Sequence, residues 1–337
     1  MQENVELSEK ALERKEDWYK RPDVQMQIIK SCYGREVSML GERNVRGLNL
    51  NTLSFLNFVY KKVGLLKYSV NMYQSLDVYN DFPNFSFNMQ KRQKQMDEFK
   101  ENYYKYYGGT DYALDFDCKC KHLDKNLQGG FCCDKYNKDV FITKDCKDCE
   151  FKNSGFLNMI EEVAFIKSLY DEYKVPYFIN CTENGISMRV RFDYTGIDFN
   201  ALQGVKDKLK NETVHEILRF YASMTQELIN SFDFRSVDTS IYTMWRVFKV
   251  PYSLGKITGI VVMPLSDSQF DDLYIKALKG EYTCMDDVKW LKPENIEKGM
   301  MDNRGLFIRK GNSENFERFV AEIVNGVEFI KENVGDK

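Results

Sequence analysis

The alternation of polar and apolar residues is clearest from Asp111 to Asp117, where it predicts a β-strand. Successive side chains of a strand point to opposite faces, so Leu114 and Phe116 are expected inside, with Asp115 and Asp117 together on the other face. Two carboxylates about 6–7 Å apart on one strand repel each other unless a cation lies between them. Hard oxygen ligands of this kind suit Mg²⁺ or Mn²⁺. A catalytic metal site and a solvated face of an edge strand are the two interpretations.

A second alternating pattern predicts a β-hairpin formed by strands 175–181 and 186–193. The two are joined around Asn184-Gly185, a strong signal for a tight turn. One face of the second strand would carry a hydroxyl and two guanidinium groups, from Ser187, Arg189 and Arg191. Such donors suit a phosphate group, and a charge ladder on an exposed face is the alternative.

Helical periodicity accounts for most of the remaining chain. It predicts helices within 1–34, where Pro22 begins a second helix, and over 51–63, 89–107 and 213–232. Short strands are expected at 35–39 and 67–73. Residues 267–337 are predicted to be a mainly helical C-terminal region that packs on the sheet. The fold class is therefore α+β, with mixed or antiparallel sheets flanked by helices, and residues 1–337 form a single module.

Composition restricts the classes of function. The chain of 337 residues is 43% hydrophobic and 29% charged, which is ordinary for a globular protein. It has neither an export signal nor an apolar run long enough to span a bilayer, so we expect a cytoplasmic protein without a membrane partner. The net charge of −3 argues against bulk adhesion to nucleic acid and leaves room for a local basic groove.

Cysteine usage adds a metal-site candidate. Nine cysteines without an export signal indicate metal binding or reactive thiols rather than disulfides. Six of them lie in the irregular segment 118–150. Cys146 and Cys149 have the spacing of a zinc knuckle, and a closed thiolate site is structural rather than catalytic. The simplest partner pair is Cys132 with Cys133, and the competing pair is Cys120 with His122.

A third carboxylate lies far along the chain. Asp238 ends a predicted strand and precedes a series of phosphate-type donors, Arg246, Lys249, Ser253 and Lys256.

Together these segments resemble the catalytic domain of the archaeo-eukaryotic primase superfamily, which comprises small primase subunits and primase-polymerases. Asp115-Phe116-Asp117 is similar to the family's first motif, and Asp238 to Lys256 is similar to its third. The resemblance also includes Arg35-Glu36-Val37, the strand 68–73, and the knuckle formed by Cys132, Cys133, Cys146 and Cys149. It extends over about residues 18–265, in separated pieces.

The second motif departs from the family pattern. Where the family has Ser-x-His, this chain has Ser187-Met188-Arg189, or Ser187 itself occupies the histidine position. In either register the histidine is missing, so its role passes to Arg189 or is altered. The insertion-rich helical region of eukaryotic small subunits is absent, which favours the compact primase-polymerases of plasmids, mobile elements and CRISPR loci, with CRISPR-associated proteins as expected partners.

The resemblance implies a DNA-directed primase-polymerase with an RRM-like catalytic half and a zinc-knuckle insertion at 118–150. It would make and extend primers on single-stranded DNA from NTPs or dNTPs. Asp115, Asp117 and Asp238 would hold two Mg²⁺ or Mn²⁺ ions, and a structural Zn²⁺ would fill the knuckle. The expected nucleotide-binding residues are Arg35, Ser187, Arg189, Arg246, Lys249, Ser253 and Lys256. The alternatives are a catalytically silent module that binds single-stranded nucleic acid, a gap-filling end-joining polymerase of the same superfamily, and a purely structural zinc protein.

Overall fold

The computed structural model describes residues 9–40, 45–52, 56–57, 60–61, 71–118, 152–196, 207–243, 246–255, 259–297 and 312–322. The chain divides into two units, each assembled from separate stretches of sequence. The first unit comprises Met1–Thr110, Trp245–Met263 and Trp290–Asn303. The second comprises Asp111–Met244, Pro264–Lys289 and Arg304–Lys337.

Helices and strands alternate along the described chain. The helices are α1 (Glu9–Lys20), α2 (Pro22–Cys32), α3 (Met89–Glu101), α4 (Lys152–Tyr173), α5 (Asp207–Phe232) and α6 (Asp267–Leu278). The strands are β1 (Val37–Leu40), β2 (Val45–Leu48), β3 (Asn71–Ser75), β4 (Asp77–Tyr79), β5 (Tyr107–Thr110), β6 (Tyr112–Asp117), β7 (Phe178–Cys181), β8 (Gly185–Val190), β9 (Val247–Lys249) and β10 (Met263–Leu265). Residues 313–322 are also helical.

The first unit is built on a four-stranded sheet with the order β2-β1-β3-β9. The pairs within it are antiparallel, with Val37 opposite Gln74 and Tyr73 opposite Lys249. The predicted break before α2 is confirmed, because Pro22 is in its first turn, where no intrahelical donor is needed. Val24 and Ile28 are buried one turn apart and give α2 its core-facing stripe.

The second unit is built on the sheet β10-β7-β8-β6. The predicted hairpin is confirmed, with Cys181 of β7 opposite Ile186 of β8. Helix α4 contacts both β6 and β8, and its buried side chains recur with helical spacing at Phe156, Met159, Ile160, Val163, Ile166 and Tyr170. Mixed α+β architecture with antiparallel sheets is therefore confirmed.

The helix predicted over 89–107 is shorter in the structure. α3 ends at Glu101, a 3₁₀ turn follows at Tyr103–Lys105, and β5 begins at Tyr107. The α-helix stops where Tyr103 is fully buried and its hydroxyl donates to the carboxylate of Asp77, 2.6 Å away. A tertiary contact thus overrides the helical pattern.

Two parts of the sequence prediction concern residues outside the described ones. The zinc-knuckle candidates Cys120, His122, Cys132, Cys133, Cys146 and Cys149 are among them, as is Lys256. The four cysteines that the structure describes, Cys32, Cys118, Cys181 and Cys284, are all buried. Within the described chain, none of the helices combines the length and the apolar character that crossing a bilayer requires.

Asp77 is an ionisable group in the core of the first unit. Its carboxylate accepts hydrogen bonds from the hydroxyls of Tyr103 and Thr110, each 2.6 Å long. Burial penalises the charged form and raises the pKa of Asp77 to about 6, although these two hydrogen bonds oppose the increase. Glu36 adds a smaller increase, and Arg35 partly offsets it.

This pKa predicts a loss of stability as the pH rises. Folded Asp77 binds its proton more tightly than the unfolded chain does, so its contribution is fully present below pH 3.8 and is lost as the pH rises to about 6. The loss is at most about 3 kcal/mol. Urea unfolding between pH 4 and 7 should show this slope in the wild type and a flatter one in Asp77→Asn. Asp81→Asn, which removes a nearby exposed acid, is the matched control, and identical slopes in wild type and Asp77→Asn would contradict the prediction.

Candidate functional site

The two faces of strand β6 differ, since one is apolar and the other is polar. Leu114 and Phe116 are buried as predicted, and Tyr112 on the same face lies 5.2 Å from the ring of Tyr221 in α5. Asp115 and Asp117 lie on the opposite face, and both are partly exposed. The predicted division of this strand between core and polar residues is confirmed.

Pairing with β8 brings the predicted phosphate-binding residues Ser187 and Arg189 to the same face as the two aspartates. Asp115 is opposite Ser187, and Ala113 is opposite Arg189, in an antiparallel register that continues to Asp117 opposite Gly185. Directly opposite residues of an antiparallel pair share one face. We call the set Asp115, Asp117, Ser187, Arg189, Phe178 and Asn180, the last two from β7, the polar face.

Ser187 and Arg189 are almost fully buried on this face, with 1% of each residue exposed. The guanidinium carbon of Arg189 lies 5.4 Å from the ring centroid of its cross-strand partner Phe178. A cation over an aromatic ring is held in place without losing its charge. β8 ends at Val190, so Arg191 lies beyond the strand, where its guanidinium binds the carboxylate of Asp193.

The third aspartate is joined to β6 through the main chain. The amide of Asp117 donates to the carbonyl of Ser236, and the amide of Asp238 donates to the carbonyl of Asp115, each at 2.8 Å. Between them Val237 forms an antiparallel bridge with Phe116. Residues separated by more than a hundred positions in the sequence are thus brought together, as the resemblance implies.

Two side chains hold this 236–238 segment in place. The carboxylate of Glu162 in α4 accepts from the amides of Arg235 (2.8 Å) and Ser236 (3.0 Å), and also from the Ser236 hydroxyl. The hydroxyl of Tyr242 donates to the carbonyl of Ala113 in β6. Burial raises the pKa of Tyr242 far above its ordinary value, so this hydroxyl remains a donor.

The Asp238 carboxylate caps the 3₁₀ turn Thr239–Ile241. It accepts from the amide and the hydroxyl of Ser240, at 2.9 and 3.0 Å. Among the described residues, no group of three His, Cys, Asp or Glu side chains is arranged to hold a metal ion. The donor chemistry of the three aspartates suits a hard cation, and their backbones are adjacent, but in this arrangement Asp238 faces Ser240.

Gly185 permits the close approach of β8 to β6. A Cβ atom at this position would lie 1.9 Å from the carbonyl oxygen of Phe116, a distance that no real contact allows. Gly185 therefore has a role beyond the turn. Because it has no side chain, β8 can pair closely with β6 where Gly185 is opposite Asp117.

The remaining predicted nucleotide-binding residues that the structure describes belong to the first unit. Arg35 is buried and donates to the carbonyls of Ser75 and Leu76, so it ties two loops of that unit together. The Ser253 hydroxyl donates to the carbonyl of Val250, 2.7 Å away. Arg246 directly precedes β9 and Lys249 is its last residue, and both are partly exposed.

Glu162 and Tyr242 have structural roles at this site that sequence reasoning missed. Glu162 lies in the amphipathic pattern of α4 as an ordinary polar residue, and nothing local distinguishes it from Glu161. Tyr242 is part of the third-motif resemblance, and a signal was therefore present, but its partner in β6 is set only by the tertiary structure.

Comparison with known proteins finds similarity in structure and none in sequence. No protein-family model and no curated protein matches this sequence. Among solved structures, the chain is similar to the polymerase domain from Mycobacterium tuberculosis Ligase D in complex with DNA. The likeness covers 85% of this chain and 93% of that one, with a TM-score of 0.42 and 10% sequence identity. At this TM-score the likeness establishes no shared fold, so the function must be argued from this chain's own residues.

Because β8 approaches β6 so closely at Gly185, adding one methyl group there should strongly lower stability. Gly185→Ala should lower the free energy of unfolding by about 3 kcal/mol or more, because β6 or β8 must move to relieve the overlap. Gly280→Ala is the matched control in the same unit: its φ is +69° but no atom lies within 4 Å of the new Cβ, so about 1 kcal/mol of backbone strain is expected. Equal losses in urea unfolding would contradict the steric explanation.

Removing the Glu162 carboxylate should loosen residues 235–238 locally. Glu162→Ala should lower the free energy of unfolding by about 2 kcal/mol, since hydrogen bonds to a charged acceptor contribute about 1.5–3 kcal/mol. Amide hydrogen exchange across residues 235–238 should accelerate. Glu161→Ala, an exposed position on the same helix, should change neither measurement, and unchanged exchange in Glu162→Ala would show that the segment is held by other contacts.

Proposed function

We propose that this protein is a template-directed nucleotidyltransferase of the primase-polymerase kind, which joins nucleotides from NTPs or dNTPs along single-stranded DNA. The reaction is an in-line attack of a 3′-hydroxyl on the α-phosphate, with pyrophosphate leaving. In this proposal Asp115, Asp117 and Asp238 hold the divalent cations, and Ser187 and Arg189 bind the triphosphate.

One observation carries the proposal. The second unit places two carboxylates, a hydroxyl and a guanidinium on a single face of β6 and β8, and main-chain hydrogen bonds fix a third aspartate beside the first. Carboxylates that hold cations next to cationic and hydroxyl donors are what a polyphosphate substrate requires.

In this proposal the cation-binding aspartates, Arg189 and Ser187 each have a defined task. Bound Mg²⁺ or Mn²⁺ would neutralise the triphosphate and favour ionisation of the attacking hydroxyl. Arg189 offers planar, bidentate donors to phosphate oxygens, and its contact with Phe178 keeps the guanidinium oriented before the nucleotide binds. Ser187 supplies one further donor from the position opposite Asp115.

Other assignments stay predictions from the sequence resemblance. Arg246, Lys249 and Lys256 are proposed to contact phosphates, and Arg35 and Ser253 are proposed as nucleotide ligands in addition to the structural hydrogen bonds that they make. A Zn²⁺ site formed by Cys132, Cys133, Cys146 and Cys149, with Cys120 and His122 as the alternative pair, belongs to the same group. A CRISPR-associated pathway is likewise a prediction from the sequence resemblance.

A catalytically silent module that binds single-stranded nucleic acid is the second candidate. The observation that favours it is the Asp238 carboxylate, whose two oxygens accept from Ser240 rather than converging with Asp115 and Asp117. A cation that binds tightly enough would turn this side chain away from Ser240. Catalysis therefore requires that rearrangement, and a silent module does not.

Primer synthesis on unprimed single-stranded DNA tests the proposal. With Mg²⁺ or Mn²⁺ and all nucleotides present, the wild type should make short products. The double variant Asp115→Asn/Asp117→Asn should make them about a thousandfold more slowly, because a bound cation contributes several kcal/mol of charge stabilisation. The matched control is Asp193→Asn, which removes an exposed acid of the same unit outside the polar face.

The outcomes separate the candidates. Extension of a supplied primer without initiation would leave a gap-filling polymerase of the same chemistry. No synthesis by the wild type, together with tight binding of single-stranded DNA, would favour the silent module. Undiminished synthesis by the double variant would remove the metal-binding assignment altogether, provided that circular dichroism shows all proteins folded.

A further inference from the structure

Asn180 on β7 is a buried amide whose polar atoms have no partner within the described part of the chain. The residue is 0% exposed, and neither its Oδ1 nor its Nδ2 forms a hydrogen bond there. A buried polar group left without a partner costs about 1–3 kcal/mol. Folded proteins pair the large majority of such groups with protein, ordered water or ligand, so an amide with both ends open is a candidate ligand-binding group.

The sheet register shows what surrounds this amide. Asn180 is opposite Ser187, which is in turn opposite Asp115, so an amide, a hydroxyl and a carboxylate form one row across β7, β8 and β6. Adjacent strands are about 4.8 Å apart, which places Asn180 about 10 Å from Asp115. The next row on the polar face contains Phe178 and Arg189.

We propose that Asn180 binds the distal phosphates of the nucleoside triphosphate, an inference that rests on the function proposed above. An α-phosphate held near Asp115 and Asp117 leaves the β- and γ-phosphates to extend across β8 towards β7. The Nδ2 group donates two hydrogens, and phosphate oxygens only accept. Oδ1 then accepts from a water bound with the phosphate.

The neighbours of Asn180 favour a polyphosphate over a base or sugar. Its closest polar neighbours on the face, Ser187 and Arg189, are donors, and the guanidinium supplies positive charge. A neutral amide adds donors beside that charge without a second cation to desolvate. Asn180 thereby distinguishes a triphosphate from a monophosphate.

Equilibrium binding to wild type and Asn180→Leu tests the proposal without requiring turnover. Titration calorimetry with Mg²⁺ would compare ATP carrying a non-hydrolysable α,β-linkage with AMP. Asn180→Leu should bind the triphosphate about 10- to 100-fold more weakly, which corresponds to losing a hydrogen bond to a charged group. Its affinity for AMP should be unchanged.

Thermal unfolding of the ligand-free proteins should show that the substitution which weakens triphosphate binding does not lower stability. Leucine has the same branching as asparagine and replaces the two unpaired amide atoms by methyl groups, so the melting temperature of Asn180→Leu should equal or exceed that of the wild type. Ile179→Val is the matched control, since Ile179 lies on the same strand and faces the apolar side, opposite Met188. That variant should melt earlier and bind the triphosphate as the wild type does.

The results that overturn the proposal are specific. Unchanged triphosphate affinity in Asn180→Leu, or an equal loss of affinity for ATP and AMP, would show that the amide does not contact the distal phosphates. If Asn180→Leu does not fold, Asn180→Ser decides, because it retains one donor and should show a smaller loss confined to the triphosphate.

This experiment is independent of the test of function. Primer synthesis that depends on Asp115 and Asp117, combined with triphosphate affinity that does not depend on Asn180, would leave the proposed function standing and reject the inference. Absent synthesis combined with Asn180-dependent triphosphate binding would reject the polymerase function and retain the ligand.

Discussion

The pair of main-chain hydrogen bonds between β6 and the 236–238 segment is the constraint on which the candidate site depends. Asp115 and Asp117 belong to one strand, so their spacing follows from the strand alone. Asp238 has no such local constraint. It is held beside β6 by the hydrogen bond from its own amide to the Asp115 carbonyl and by the bond from the Asp117 amide to the Ser236 carbonyl. Backbone groups make these bonds, so they do not require the side chain of Asp238 itself.

Two side-chain contacts reinforce that bridge. Glu162 reaches it from α4, and Tyr242 ties the following turn back to Ala113. The Tyr242 hydroxyl also accepts from Thr225 of α5 at 2.9 Å. Helices that cover the apolar face therefore also determine where the acidic residues of the polar face lie, since a buried polar contact fixes position more strictly than apolar packing does.

Asp238 and Asn180 are complementary features of this site. The carboxylate of Asp238 is satisfied by Ser240, whereas the amide of Asn180 lacks a partner within the described chain. The first would have to give up contacts to bind a cation, and the second would gain contacts by binding a phosphate. A nucleotide that arrives with its cation would bring the cation to Asp238 and a phosphate to Asn180 at once. Its binding energy would then offset the rearrangement of Asp238.

The sequence by itself determined β6, the β7–β8 hairpin, the faces of both strands and the amphipathic helices, because alternation and helical spacing record which side chains must leave water. It also predicted Asp115, Asp117, Asp238, Ser187 and Arg189 as candidate site residues. Only the tertiary structure decided the pairing of β6 with β8, the bridge to Asp238, and the roles of Glu162 and Asn180. Those depend on contacts between residues far apart in the chain, and a single polar residue in a helix or strand carries no local signal of the partner that it will meet.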